Sequence, residues 1–296
     1  MGQYVDHLNS GGNEYDLMAA DYYEGVDLTV KFEDEISNYS DEWAWLKARI
    51  QAGNFSKLHV DDYIPVALPY HLQPKLARII GINTYKGLGS TTRVGNHIDF
   101  ILSGAGGSFQ MNLVKFNNGS STNSRSPWLS SNGYYFLNSL AGNVPNAETN
   151  VPETTAVDYT ADPGAGVLGG LVTFPQKLKN VIVDKMAYNP RRFSATEIQT
   201  SDNTASLEKI GKLWIPTEVE LTGCPILGSK QGALGGVQYP WFAHNLHRLT
   251  NQYANMWTMT AADGDTTKFV VVSAGGYLTT ANANSEYAAL VCFRVA

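Results

Sequence analysis

The spacing of apolar and polar positions changes character several times along this chain, and no single period is held for long. Trp43, Leu46 and Ile50 recur at helical spacing behind Ser40, Asp41 and Glu42, with Gly53 beyond them. A serine cap, an acidic first turn and a glycine terminator predict a helix between Ser40 and Gly53. Residues 58–66, 77–83 and 97–102 are short runs rich in β-branched side chains and interrupted by Pro or Gly, the pattern of antiparallel strands. Ser126-Pro127 predicts an N-cap and first-turn proline for a second helix through Trp128, Leu129, Tyr135, Phe136 and Leu140, with Gly133 weakening its middle. Pro175 opens a third amphipathic stretch through Leu178, Val181 and Ile182, and strand-like Asp184-Lys185-Met186-Ala187 follows.

Between these elements lie segments with neither period. Residues 117–124 are almost wholly Asn, Gly, Ser and Thr, and residues 141–170 are rich in Pro, Thr and Gly, so both read as loops. Residues 1–36 are polar and acidic, with tyrosines at Tyr15, Tyr22 and Tyr23. Such an arm is either a free tail or a segment that docks on a neighbouring subunit, where Tyr22, Tyr23, Val26 and Leu28 find cover. The organisation expected is therefore residues 1–54 as an N-terminal arm and helix for assembly or docking, and residues 55–296 as one domain with long loops. No fixed-period repeat is present, which sets aside solenoids and propellers.

Composition narrows the function classes. The 296 residues are 43% apolar, enough to fill a core, yet only 16% charged, which favours turn-rich β structure over long surface helices. A formal net charge of -6 argues against a nucleic-acid partner, and Arg191-Arg192 is too small a basic cluster to bind one. No window approaches the about 18 apolar residues of a membrane span, so no membrane insertion is expected. The first residues lack the basic and apolar regions of a signal peptide, and Asp6 spoils the myristoylation pattern. Two cysteines, Cys224 and Cys292, exclude a disulfide framework; one bridge between them stays open, against a buried free thiol at Cys292.

The candidate chemistry is sparse. Thr217-Glu218-Val219-Glu220 is a capping box, which gives Glu220 a structural role and leaves Glu218 without a neighbouring acid or base. Ser273 lies between Val272 and Ala274 where a hydrolase elbow needs Gly-x-Ser-x-Gly, and Gly104-Ala105-Gly106-Gly107 is an incomplete dinucleotide fingerprint. His244 and His247 have the spacing of two metal ligands on one helix face, but no third is apparent; His97 and Asp99 share a strand face. Asp263-Gly264-Asp265 has the look of a calcium loop without its later acidic ligand, so it reads as a turn; an ion, if bound, would sit on Asp263 and Asp265. No catalytic residue, cofactor or metal is expected.

Residues 213–221, Leu-Trp-Ile-Pro-Thr-Glu-Val-Glu-Leu, resemble the Leu-Pro-Thr-Glu-Ala-Glu segment of formylglycine-generating-enzyme-like proteins, which have a C-type-lectin-like fold. A closer resemblance is to an uncharacterised domain family of that general type, found in tailed-phage virion proteins and Firmicute proteins. It is carried by Trp128-Leu129, Leu137-Asn138, Trp214 to Glu218, Trp257, Phe269-Val270, Gly275-Gly276 and Cys292-Phe293-Arg294, and covers about residues 55–296. Two departures matter: the cysteine pair of the copper-dependent enzymes is reduced to Cys292, and Trp257-Thr258-Met259-Thr260 replaces Trp-Leu-Arg-Ser. The resemblance thus implies the scaffold without the oxidase chemistry.

The expected fold is α+β, short antiparallel strands with a few helices, ending in a C-type-lectin-like module. Trp214, Pro216, Thr217, Glu220, Trp257, Gly275 and Gly276 are its expected structural positions. The polar loops about residues 277–286, with Tyr277, Thr279, Asn282, Asn284 and Glu286, and the turn with Asp263 and Asp265, are the candidate surface-binding positions. From sequences similar also in residues 43–55, the resemblance implies a phage structural protein of the virion: a capsid decoration, a head fibre or a tail-associated protein. It would be a homo-oligomer assembled in the bacterial host cytoplasm, with other virion proteins and a host cell-surface glycan as partners in host attachment. A carbohydrate-binding module or an enzyme on the same scaffold is the alternative.

Overall fold

The computed structural model describes residues 7–10, 13–16, 24–69, 73–89, 93–102, 108–115, 117, 126–145, 154–162, 170–188, 207–228, 235–244, 247–248, 254–265 and 267–296. Along the chain come β1 (His7–Ser10) and β2 (Asn13–Asp16), an antiparallel hairpin, then helices α1 (Leu28–Lys31), α2 (Glu33–Ile36) and α3 (Glu42–Gln51). Next are β3 (Tyr63–Val66), β4 (Lys75–Ile82), β5 (Ile98–Leu102), β6 (Ser108–Gln110) and α4 (Asn132–Asn138). β7 (Ala141–Pro145), β8 (Thr154–Asp158), α5 (Gln176–Lys179), β9 (Ile182–Val183), β10 (Met186–Tyr188), β11 (Leu207–Lys209), β12 (Leu213–Trp214) and α6 (Glu218–Thr222) follow. The chain closes with β13 (Met256–Ala261), β14 (Lys268–Val272), β15 (Leu278–Asn282), β16 (Glu286–Ala289) and β17 (Cys292–Val295).

The fold is mixed α+β with mostly antiparallel strands, as expected. Two sheets organise it. The first runs β12-β17-β5-β4-β3 with β9 also on β17, so the last strand of the chain is central; the second runs β15-β14-β13-β16-β6. Every pairing in these sheets is antiparallel except β13 with β16, where Met256 faces Ala288 in parallel register. One apolar cluster takes side chains from both sheets. Phe100 and Phe293 are cross-strand partners stacked at 5.2 Å, and Trp43 of α3 meets both edge-on at 5.7 and 5.9 Å. Such pairs add about 0.5–1.5 kcal/mol each beyond the area they bury.

The structure differs from the sequence reading in five local features. Asp41, not Ser40, caps α3: its carboxylate accepts from the Trp43 and Ala44 N–H groups, while Ser40 only donates to Asp41. Helix α4 is capped by Ser131, five residues beyond Ser126, so Gly133 sits in the first turn; a Cβ there would lie 2.6 Å from Phe109, and close packing explains the glycine. Residues 141–170 are not all loop, because β7 and β8 pair in register from Ala141↔Asp158 to Pro145↔Thr154. After Pro175 the helix lasts only to Lys179, and Ile182 belongs to a strand.

The fifth difference concerns the arm. Residues 24–36 are not peripheral: Leu28 is fully buried, Phe32 packs at 4.9 Å on Trp45, and Glu35 accepts from Trp45 Nε1 at 3.1 Å and Arg49 at 2.6 Å. The Asp62 carboxylate accepts from the Val26 N–H at 3.0 Å, and Asp27 bridges to Tyr63. Leu28 and Phe32 thus join the same apolar cluster as the strands, where they recover more free energy than in solvent. Of residues 117–124, read as a loop, Asn117 is described: it is buried and its amide donates to the Asp265 and Lys268 carbonyls, while residues 118–124 lie outside the described residues. Arg191, Arg192 and the Gly104 to Gly107 run lie outside the described residues.

Candidate functional site

The Trp-Ile-Pro-Thr-Glu segment is a structural hinge between the two sheets. Trp214 on β12 is fully buried, and the Pro216 carbonyl accepts from the Met259 N–H of β13 at 3.3 Å. The capping box closes as its spacing predicts: Thr217 Oγ1 accepts from the Glu220 N–H at 3.1 Å, and Glu220 Oε2 from the Thr217 N–H at 2.9 Å. Gly223 ends the helix at φ 82°, a left-handed conformation that favours glycine. Glu218, the one acid left over by the sequence pattern, is fully buried and accepts from the N–H groups of Leu227 at 2.6 Å and Gly228 at 2.7 Å. It anchors the segment after α6 to the sheet, where Gly228 bridges to Ala262.

Glu220 has a second engagement that its capping role does not reveal. Beneath α6 a cluster of charges lies inside the core: Glu220 pairs with Lys185, and Asp99 of β5 holds Arg294 of β17 through two bonds, Nε to Oδ1 at 2.7 Å and a terminal nitrogen to Oδ2 at 2.8 Å. Tyr239 donates to Asp99 at 2.8 Å and Tyr85 to Glu220 Oε1 at 2.7 Å. Lys185 Nζ lies 4.7 Å from the Trp214 ring, 4.9 Å from Tyr85 and 5.2 Å from Tyr239. Two anions and two cations balance, which lets a group this size leave water, because a buried charge is tolerated when paired and hydrogen-bonded.

The titration behaviour follows from that enclosure. Burial pushes the Asp99 carboxyl up, but the Arg294 guanidinium outweighs it and holds the group below the ordinary carboxylate range. Burial raises the hydroxyls of Tyr85 and Tyr239 well above their usual value, reinforced by Glu220 and Asp99, so both keep their protons and donate. His97 is held neutral, chiefly by burial: Nε2 accepts from the Tyr85 N–H at 3.2 Å, which leaves Nδ1 to donate to the Gly95 carbonyl at 2.9 Å. His97 and Asp99 are thus brought together, 3.7 Å apart, as part of a framework. Burial raises the Cys292 thiol well above its normal range, and both cysteines are free. The sequence reading placed Lys185 in a strand-like run and Arg294 in the last strand without a partner for either, and passed over Tyr85 and Tyr239; a lone Lys between two short apolar strands and an Arg inside the apolar last strand were the available signals.

The candidate display positions fall at two ends of one edge strand. β15 has β14 on one side as its partner in the sheet order and ends the sheet on the other. A tight turn leads into it, with the Ser273 N–H donating to the Tyr277 carbonyl at 2.8 Å and Gly276 at φ 79°. Tyr277 is 66% exposed, its ring lying over exposed Gly275. Asn282 stands about 16 Å away at the far end of the strand, from about 3.3 Å per residue. There the structure gathers the remaining candidates. Asn282 pairs with Lys268, the Asn284 carbonyl accepts from Gln110 Nε2, and exposed Glu286 opens β16 opposite Gln110.

The acidic turn joins that same end. Asp265 accepts from the Thr267 N–H at 2.8 Å and pairs with Lys268 at 2.9 Å; burial raises its carboxyl, and the Thr267 and Lys268 contacts outweigh this and lower it. Asp263 is exposed, with its N–H on the Leu227 carbonyl. Thr279 and Asn282 were read as loop residues and are strand residues. Thr279 and Thr280 are both half-buried, on opposite faces of the strand.

The remaining motifs resolve simply. Trp257 is buried and donates to the Phe109 carbonyl at 2.9 Å. Ser273 is buried with no partner for its hydroxyl among the described residues. His244 follows a short 3-10 turn, Pro240–Ala243, rather than lying on a helix, and His247 stacks on Trp241 at 4.2 Å. Among the described residues no group of three or more His, Cys, Asp or Glu side chains could hold a metal, and no helix is long and apolar enough to cross a membrane. No protein family, no curated protein and no solved structure matches this chain.

Proposed function

We propose that this chain is a non-enzymatic structural protein of a tailed-phage virion, a head decoration, head fibre or tail-associated protein, that presents the β15 edge for attachment to a host surface. The C-type-lectin-like resemblance of residues 55–296 motivates the virion assignment. The observation that carries the display role is the contrast at the last strands: a buried apolar β14 lies beside the β15 edge, with Tyr277 and Asn282 exposed at its two ends and Asp263 and Glu286 exposed on the neighbouring turn and strand. The engagement of Glu218 and Asp99 in structural bonds supports a role without turnover of a substrate.

Self-assembly and contact with other virion proteins are assigned to a second surface, at α1. Val26 and Val30 are 38% and 72% exposed beside a shallow groove of about 430 Å³, lined also by Asp27, Lys31 and His59. Exposed valines at a groove are favourable when a neighbouring subunit covers them. The test is peptide mass spectrometry of purified particles of the phage whose genome encodes the chain, with immunogold labelling by an antibody to residues 277–286. Peptides present at stoichiometric level with label on the particle are expected; absence of the chain from washed particles refutes the proposal. A glycan array with the purified chain then separates attachment from a purely architectural role.

A further inference from the structure

Lys185 and Glu220 are held in contact with each other inside the core. The Lys185 backbone is fixed on both sides, its N–H donating to the Gly211 carbonyl at 3.0 Å and its carbonyl accepting from the Ile210 N–H at 2.9 Å. The side chain is fully buried beneath Trp214, Tyr85 and Tyr239, and among the described residues the hydrogen-bond acceptor of Nζ is Glu220 Oε1, with which it is in direct contact. Glu220 is held as firmly, by a helix on one side and the Thr217 N–H on Oε2. The two oxygens of its carboxylate are therefore distinguished: Oε1 takes Lys185 and the Tyr85 hydroxyl, Oε2 a backbone N–H.

That division matches what amide formation asks of a carboxyl group. The oxygen that leaves needs protons, and the oxygen that gathers negative charge in the tetrahedral intermediate needs a fixed N–H donor. We propose that Lys185 Nζ and Glu220 Cδ become joined by an intramolecular isopeptide bond once the chain has folded. The ammonium passes one proton to Oε1 and its freed lone pair attacks Cδ. A second proton moves from nitrogen to Oε1, with the Tyr85 hydroxyl oriented on that oxygen, and the Cδ–Oε1 bond breaks with release of one water. An ammonium and a carboxylate thus give an amide and water, with no oxidant, cofactor or activating group consumed.

The surroundings favour the product. Confinement supplies the effective concentration that an amine and an acid lack in solution. A buried ion pair carries a desolvation penalty of several kcal/mol per ion, which a neutral amide of similar shape escapes. The remaining contacts survive: Oε2 becomes the amide oxygen and keeps the Thr217 N–H, Tyr85 retains the Val237 carbonyl at 3.4 Å, and Asp99 with Arg294 stays balanced.

The test is mass spectrometry of the full chain, denatured and reduced. A mass one water below that of the sequence is expected, together with a branched peptide joining the segments around residues 185 and 220 in a digest. The branched peptide makes the result independent of removal of the first Met. Lys185→Met is expected to restore the full mass, and Tyr85→Phe to leave a measurable unreacted fraction in freshly made protein. A wild-type chain with the unaltered mass and separate linear peptides around both residues, after prolonged incubation in the folded state, overturns the proposal without need of any variant.

Discussion

The two sheets treat polar groups in opposite ways. The first, with β17 at its centre, encloses Asp99, Arg294, Lys185 and Glu220 in its core layer. Among the described residues the second buries no charged side chain: Phe269, Val270, Val271 and Val272 are all buried on β14, the buried Thr258 hydroxyl of β13 is satisfied by the Val270 carbonyl, and exposed Tyr277 and Asn282 stand at the ends of the β15 edge. Buried charges are costly and highly directional, so the first sheet gains a unique arrangement at the expense of free energy. An apolar sheet with a polar edge tolerates change where it meets solvent. The difference teaches where substitution is absorbed and where it is not.

The comparison breaks most visibly at Asp99. Asp99→Ala leaves the Arg294 guanidinium buried without its carboxylate, and a loss on the order of 3–5 kcal/mol in urea-unfolding free energy is expected. Asp99→Leu combined with Arg294→Met is expected to lose distinctly less; an equal loss would show that packing, not charge, sets the cost.

Acid provides the second way to break it. Asp99 has its folded value below the unfolded one, so its contribution is complete above the unfolded value of about 4 and is lost as pH falls through the folded value. His97 has its folded value below 6.5, so the unfolded chain takes up a proton that the folded protein refuses. Stability from this group is complete above that value and declines as pH drops beneath it. Unfolding free energy is expected to fall between about pH 7 and pH 5, and His97→Gln, which keeps a donor and an acceptor, to flatten that slope. An unchanged slope in the variant would assign the acid sensitivity elsewhere.

On the side of the second sheet the effects are smaller. Gly133→Ala would drive a methyl group into Phe109 of β6 and Met111, and a loss of about 1–3 kcal/mol is expected by thermal denaturation. Tyr277→Ala, at the exposed turn before β15, is expected to change stability by less than about 0.5 kcal/mol. A large loss there would mean that the edge is part of the frame and is not free to vary.

Much of the frame was legible from local pattern. The capping box at Thr217 and Glu220, the helix over Trp43, Leu46 and Ile50, and the strands around Ile64, Ile79 and Phe100 depend on neighbours within a few residues, and they formed as the spacing predicts. The cap of α3 moved by one residue because an aspartate carboxylate can accept two N–H groups at once. The β7–β8 hairpin was hidden because its strands carry Gly, Asn and Thr in place of an apolar alternation. The charge cluster was hidden for another reason: Asp99 and Arg294 are 195 residues apart, and only the return of β17 beside β5 brings them together. At the candidate site, polar composition marked a segment whose ends are exposed, while its strand character, set by pairing with β14, was hidden because Thr and Asn replace an apolar alternation.

The central claim is that the β15 edge is the outward working surface of a virion component. It is tested most directly by electron cryo-microscopy of intact particles. Density for this chain in repeated copies is expected, with Tyr277 and Asn282 facing solvent and the Val26 and Val30 groove covered by a neighbouring subunit. Density in which the β15 edge is buried against the particle, or particles that lack the chain, would contradict it.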